Sequence, residues 1–362
     1  MNHRNEYVIL PTAATTILFG WSIAVAGSAV SRPASAASDD AVCTTWSSHP
    51  DDAAAWIDVG ESLLAGKRLS CVGAVQQRAL GGASSTDAAA DPRLVVAAAR
   101  EALALTWAPE MRARALRLAV DGTRPRLIPC PPKHVDDCPS VSGDPDAWST
   151  FRALFIAETG APPEAAASLA RSREAAAKLS GWVEPGTSST EACTPAAENR
   201  PAVDVPPTDP QANCGAHGYR VCPVAPKATW VHIEKTYCEH DVLKKATYAD
   251  ENGDGVEDAS LWIRYGLMSD EEVVGNITYL DVVDGRTGRN LIHGLVAATA
   301  TGSDGGAFAL TAQRIGPGRL RLKAPAKVDH ATEVRLRRAH PEFLAPGAYV
   351  LGPNGFHRVT SK

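Results

Sequence analysis

Aromatic residues are scarce in this 362-residue chain, at 6%, and methionine occurs 3 times. Positive charge is not in surplus either. Lys and Arg number 36 against 41 Asp and Glu, a formal net charge of -5. That balance argues against a dedicated nucleic-acid binder, which carries a basic excess. Beyond Val30 no apolar run reaches the roughly 20 residues that a membrane-spanning helix needs. The strings G-x-S-x-G, H-E-x-x-H and C-x-x-C-H are missing as well. Their absence leaves no nucleophile elbow, zinc-protease helix or haem attachment to build on, and no catalytic residue to name.

What is present begins with an export segment. Arg4 sits in a short polar start, and an apolar run from Tyr7 to Val30 follows, broken by Pro11 and Gly20. Ala34-Ser35-Ala36 then offers a small-x-small cleavage site. We expect residues 1–36 to be a secretory signal; the alternative is an uncleaved membrane anchor, which is the only way this reading involves a membrane. Either places the body of the chain in the periplasm, the cell envelope or the exterior. The 8 cysteines, Cys43, Cys71, Cys130, Cys138, Cys193, Cys214, Cys222 and Cys238, all follow that site. An even count in an exported chain predicts disulfides, and near-neighbour pairing gives 43–71, 130–138, 193–214 and 222–238.

The first half reads as helical and Ala-rich. Residues 37–50 look like a polar lead-in. Trp56, Val59, Leu63 and Leu64 then recur on one helical face, as do Leu69, Val72, Val75 and Ala79. Asp91-Pro92 and Asp144-Pro145 each set a capping residue before a proline, the pattern of a helix start. Pro109 opens another helix, and 164–182 reads as the last. Trp56-Ile57-Asp58-Val59-Gly60 followed by Ala79-Leu80 resembles the helical hairpin of one tetratricopeptide unit.

From 183 to 213 prolines, serines and threonines predict an extended linker. Beyond Cys222 the periodicity changes to two. Strands are expected at Trp230–Ile233, Leu261–Tyr265, Asn276–Val283, Leu291–Thr299, Ala307–Ile315, Arg319–Lys323, Glu333–Arg337 and in a closing hairpin from Ala348 to Val359. The expected fold is therefore α+β. A helical-hairpin domain, 44–182, precedes an antiparallel β-rich domain, 214–362.

One stretch specifies a chemistry. Asp250-Glu251-Asn252-Gly253-Asp254-Gly255-Val256-Glu257-Asp258 reads D-x-N-x-D-G-x-x-D. Asp250, Asn252 and Asp254 offer side-chain oxygens at alternate positions, Val256 a backbone carbonyl, and Asp258 a closing carboxylate. Gly255 permits the sharp turn. Ca²⁺ takes six to eight such oxygens at flexible geometry. A helix-loop-helix hand would need Glu at position 12, where Leu261 stands. With strand-like flanks, the segment resembles the calcium hairpin of FG-GAP and VCBS-type extracellular repeats, in a single copy. That resemblance implies calcium as the cofactor.

Three other groupings have bland alternatives. Cys214, His217, Cys222, Cys238 and His240 have zinc-ligand chemistry, but oxidation to disulfides competes in an exported chain. Arg319, Arg321 and Lys323, and likewise Arg335 and Arg337, read as solvated sheet faces or as sites for an anionic partner. Asp281 and Asp284 flank a turn and suffice only for an imagined acid/base pair. The sequence thus points to an exported calcium-binding structural or interaction protein with a protein or polysaccharide partner. The alternative is a secreted hydrolase whose catalytic groups are scattered through the β-rich part.

Overall fold

Helices occupy the first half of the chain and a meandering sheet the second. A computed structural model describes residues 39–81, 91–128, 141–179, 182, 203–205, 219–223, 231–236, 241–242, 246–267, 273–286, 288, 290–302, 305–324, 329–352 and 355–359. The expected signal segment lies outside the described residues, as does the expected linker apart from 203–205. No helix among the described residues is long and apolar enough to cross a membrane.

The helical half holds α1 (Asp39–Ser48), α2 (Ala53–Leu64), α3 (Val72–Leu80), α4 (Pro92–Leu105) and α5 (Pro109–Thr123). A ribbon of β1 (Arg126–Leu127) and β2 (Val141–Ser142) follows, then α6 (Pro145–Thr159) and α7 (Ala166–Ala177). The starts are where the sequence put them. Asp91 accepts from the Arg93 amide at 2.9 Å and Asp144 from the Ala147 amide at 3.0 Å, each with proline in the first turn. Such caps are worth about 1 kcal/mol each. The lead-in proves to be α1, a correction with a clear cause. Val42, Cys43 and Trp46 share a buried stripe, Trp46 packs edge-on against Trp56 at 5.3 Å, and Cys43 is bonded to Cys71. That disulfide is the first of the expected pairs. The other six cysteines lie outside what is described, save the backbone of Cys222.

The second half opens with β3 (Val203–Val205), β4 (Tyr219–Pro223) and β5 (Val231–Thr236), a small sheet in the order β3-β5-β4. Then come β6 (Asp241–Val242), β7 (Thr247–Ala249), β8 (Asp258–Leu267), β9 (Val273–Val283), β10 (Asn290–Gly302), β11 (Ala307–Gly316) and β12 (Arg319–Lys323). A helix, α8 (His330–Ala339), precedes β13 (Gly347–Gly352) and β14 (Gly355–Arg358). From β8 to β14 each strand pairs antiparallel with the next one in the chain. The sheet is strongly curled. β7 and β11 are four strand spacings apart, about 19 Å on a flat sheet. Yet Arg314 of β11 reaches the Thr247 hydroxyl of β7 at 3.4 Å.

α8 corrects the strand expected at 333–337. Its alternation lasts only five residues, too few to fix a period against a good helix start. Asp329 caps that start, accepting from the Thr332 amide at 2.8 Å. Arg335 and Arg337 therefore do not line a wet sheet face, and Arg337 is 2% exposed.

The sheet contributes to two cores and leaves alternate residues of β12 exposed. Leu280, Val282, Val296, Leu320, Leu322, Tyr349 and Leu351 share a core with Trp56, Leu103 and Phe151 of the helices. A second core gathers Ile277, Leu295, Phe308 and Leu310 with Leu336 of α8 and Phe343. The helical and β-rich halves meet on the first of these cores, and Ser38–Lys362 is one compact unit.

Candidate functional site

The D-x-N-x-D-G-x-x-D stretch connects β7 to β8, an antiparallel pair closed by Ala249 opposite Asp258. It is strand-loop-strand, as its sequence flanks require. Short polar side chains fold the loop by accepting backbone amides a few residues ahead. Asp250 Oδ1 accepts from Gly253 at 2.7 Å and Asp254 at 3.1 Å, and Oδ2 from Gly255 at 3.0 Å. Asn252 Oδ1 accepts from Asp254 at 2.9 Å, and Asp254 Oδ1 from Val256 at 2.8 Å. Gly253 and Gly255, at φ +80° and +82°, supply left-handed turns that other residues resist.

Asp258 is fully buried. Its Oδ2 accepts from the amides of Glu251 at 3.0 Å and Asn252 at 3.2 Å, and its Oδ1 from Gly285 at 2.8 Å. Burial raises its pKa above the usual carboxylate value, against the three amides that lower it. Asp254 goes the other way. The Val256 amide and then the Arg286 guanidinium hold its carboxyl below the ordinary value.

The loop also ties down two other turns. After β9, Arg286 Nε donates to Asp254 Oδ2 at 3.2 Å, and Asp284 Oδ2 accepts from Asn252 Nδ2 at 3.2 Å. Between β11 and β12, the Gly318 amide donates to Glu251. Buried Glu251 further accepts from the Ser260 hydroxyl at 2.9 Å and from Arg314. Gly318 is left-handed at φ +58°, and a side chain there would strike the Glu251 carbonyl.

By donor type Asp250, Asn252, Asp254, Val256 and Asp258 suit a hard cation, since all offer oxygen. The structure places them on one loop but commits the side-chain oxygens of Asp250, Asn252, Asp254 and Asp258 to internal hydrogen bonds. Among the described residues no three His, Cys, Asp or Glu side chains are grouped to hold a metal ion. An entering cation competes with the loop's own amides and with Arg286 for Asp254. Sequence reasoning missed Glu251, Arg286, Arg314 and Gly318. Nothing in the nine-residue spacing signals partners 27 to 67 residues away. Asp281 is fully buried in β9, and Asp284, itself buried, belongs to the loop network. The suggested zinc ligands lie outside the described residues, apart from the backbone of Cys222.

A second polar cluster sits at the seam between helices and sheet. Arg112 and Glu158, each 1% exposed at the side chain, pair at 3.1 Å. Arg112 also donates to the Phe343 carbonyl at 2.7 Å, and Glu158 accepts from the Ala345 amide at 3.1 Å. Trp107 lies between two guanidiniums, with Arg337 3.6 Å and Arg112 5.0 Å from its ring centroid. Its indole donates to Glu333, and Arg337 donates to the carbonyls of Leu103 and Thr106. Burial and the like charge of Arg112 lower the Arg337 pKa to about 9, with Glu333 opposing them, so it stays charged at neutral pH. Every carboxylate here has a cationic or amide partner, an arrangement that joins elements.

A cleft of about 720 Å³ runs beside α4, lined by Val96, Ala97, Arg100, Gly122, Thr123 and Ala147 among others. Two of its arginines are paired, Arg93 with Asp91 at 3.0 Å and Arg338 with Glu101 at 2.6 Å, while Arg100 lies 5.9 Å from the Phe151 ring centroid. Compared with protein-family models, with curated proteins and with solved structures, the chain finds no match.

Proposed function

We propose that this is an exported, non-enzymatic interaction protein whose curled sheet is clipped by calcium at the 250–258 loop. The observation that carries the reading is the loop itself. An all-oxygen D-x-N-x-D-G-x-x-D set turns between two paired strands and reaches the turns after β9 and β11. A cation there would draw on Asp250, Asn252, Asp254, Val256 and Asp258, and would add charge neutralisation to a network already in place. Extracellular sites of this class bind at roughly 10⁻⁴–10⁻³ M, so millimolar calcium contributes about 0.4–1.4 kcal/mol. That magnitude suits a permanent clip better than a switch. Export is supported by the apolar N-terminal run with its Ala34-Ser35-Ala36 site, and by a Cys43–Cys71 disulfide, a bond of oxidising compartments. The partner on this reading is a protein or polysaccharide of the cell envelope or exterior.

Calorimetric titration of the mature protein with calcium tests the clip. Expected are a millimolar-range isotherm, a higher Tm in calcium, and reversal by EDTA. Asp254→Ala should abolish the calcium-dependent part of the Tm. Identical wild-type melting curves in calcium and EDTA would sink the reading.

A further inference from the structure

β12 carries Arg319, Arg321 and Lys323 outward and Leu320 and Leu322 inward. The three cations make no ion pair or side-chain hydrogen bond among the described residues. Their neighbours by register are uncharged: Gly316, Gln313 and Thr311 on β11, and Val350 and Ala348 on β13. Strands β11 to β14 hold five Lys or Arg and no Asp or Glu, in a chain of net charge -5. Two of those five are engaged elsewhere, Arg314 with Glu251 and Arg358 with the Pro346 carbonyl. The row is what remains.

Two ordinary explanations fail on the topology. Basic residues often guard a sheet edge against stray pairing. β12, however, is an inner strand with β11 on one side and β13 on the other. Exposed cations also commonly stabilise a sheet through cross-strand carboxylates. None stands opposite any of the three. Instead like charges repeat along one strand at about 6.8 Å, over a length of about 14 Å. Their repulsion has no counterpart within the described fold.

We propose that this strip binds a linear anionic polysaccharide lying along β12, one acidic group to each cation. The row is one strand wide, which matches a chain better than a plane of lipid headgroups. Its outward neighbours include no aromatic residue, so it lacks the stacking platform on which single-stranded nucleic acid relies. The inference rests on the interaction-protein reading above but not on calcium.

The test uses the mature full-length chain and fluorescein-labelled dextran sulfate, with neutral dextran as control, by fluorescence anisotropy at 50 and 200 mM NaCl. Wild type should bind dextran sulfate alone, and more weakly at the higher salt. The triple variant Arg319→Gln, Arg321→Gln, Lys323→Gln should bind at least tenfold more weakly. Its log-affinity against log-salt slope should flatten by roughly two to three, as expected when up to three counterion-releasing contacts are removed. A charge-matched triple on the helices, Arg93→Gln, Arg117→Gln, Lys178→Gln, should stay within twofold of wild type. Equal losses in the two triples would reduce the effect to bulk charge and overturn the site. So would no wild-type binding at 50 mM salt, or tighter row-dependent binding of oligothymidylate or anionic phosphatidylglycerol vesicles. If the triple melts early, Arg321→Gln alone, expected to lose about threefold, takes its place. Repeating the titration in EDTA separates the two readings. Polymer binding retained without any calcium effect on Tm leaves the strip standing and removes the clip; the reverse removes the strip alone.

Discussion

Two polar clusters hold this molecule together, and they do so under opposite conditions. At the helix–sheet seam Arg112 and Glu158 are sealed from water and bonded to each other and to backbone groups of 343 and 345. At the 250–258 loop most of the carboxylates sit near water and lean on amides of their own turn. A polar group's value to a fold depends on what is left behind when its partner goes. An orphaned seam charge has no solvent to turn to, whereas an orphaned loop carboxylate has water at hand.

The sharpest way to break this comparison is Arg112→Ala. Leaving buried Glu158 with only Arg358, at 3.8 Å, as a cation should cost about 3–5 kcal/mol, read as a fall in urea midpoint. The double change Arg112→Met, Glu158→Leu should recover most of that. A loss under 1 kcal/mol for the single variant would mean that water enters the seam. Alkaline pH strikes the same place. Burial, and then the Glu158 charge, raise the Tyr349 pKa well above the ordinary 10. A raised folded-state pKa means full stability below pH 10 and loss as pH climbs further, because the unfolded chain gives up the proton first. Phenolate absorbance should therefore show Tyr349 ionising together with the collapse of near-ultraviolet circular dichroism. Free titration near pH 10 in a folded protein would contradict the burial.

Glu251 is the intermediate case, buried but bonded to a turn. Glu251→Gln keeps the shape and removes the charge facing Arg314, and should cost about 1–3 kcal/mol in urea unfolding. The smallest effect belongs to Arg286→Ala. Its pair with Asp254 is half exposed on the arginine side, so the loss should stay below about 1 kcal/mol. The same change removes a competitor from Asp254 and should tighten calcium binding severalfold by calorimetry. Weaker binding in that variant would show that the guanidinium organises the loop for the ion rather than opposing it.

Legibility followed the range of the interactions. The caps at Asp91 and Asp144 act on amides two or three residues away, and the sequence displayed them openly. β8 to β11 were readable because each strand runs ten residues or more, long enough for its middle to show strand character in the sequence. Glu333–Arg337 was misread because five alternating residues fit a helix equally well, and Asp329 decided the matter. α1 went unseen because its short apolar stripe makes sense only once Cys71 and Trp56 are beside it. The seam had no sequence signal at all. Arg112 meets Phe343 across 231 residues, and Glu101 meets Arg338 across 237. The candidate loop was legible as nine residues, while the turns it secures were not.

The long reach of the seam sets an order of assembly. A ribosome delivers the helices first, and Glu101, Arg112 and Glu158 then wait for partners that arrive with almost the last residues made. Hairpins from β8 onward can close as they emerge, each on its immediate predecessor. The nascent helical half is therefore the exposed party during biogenesis, and a stop codon just ahead of His330 would leave it permanently unfinished.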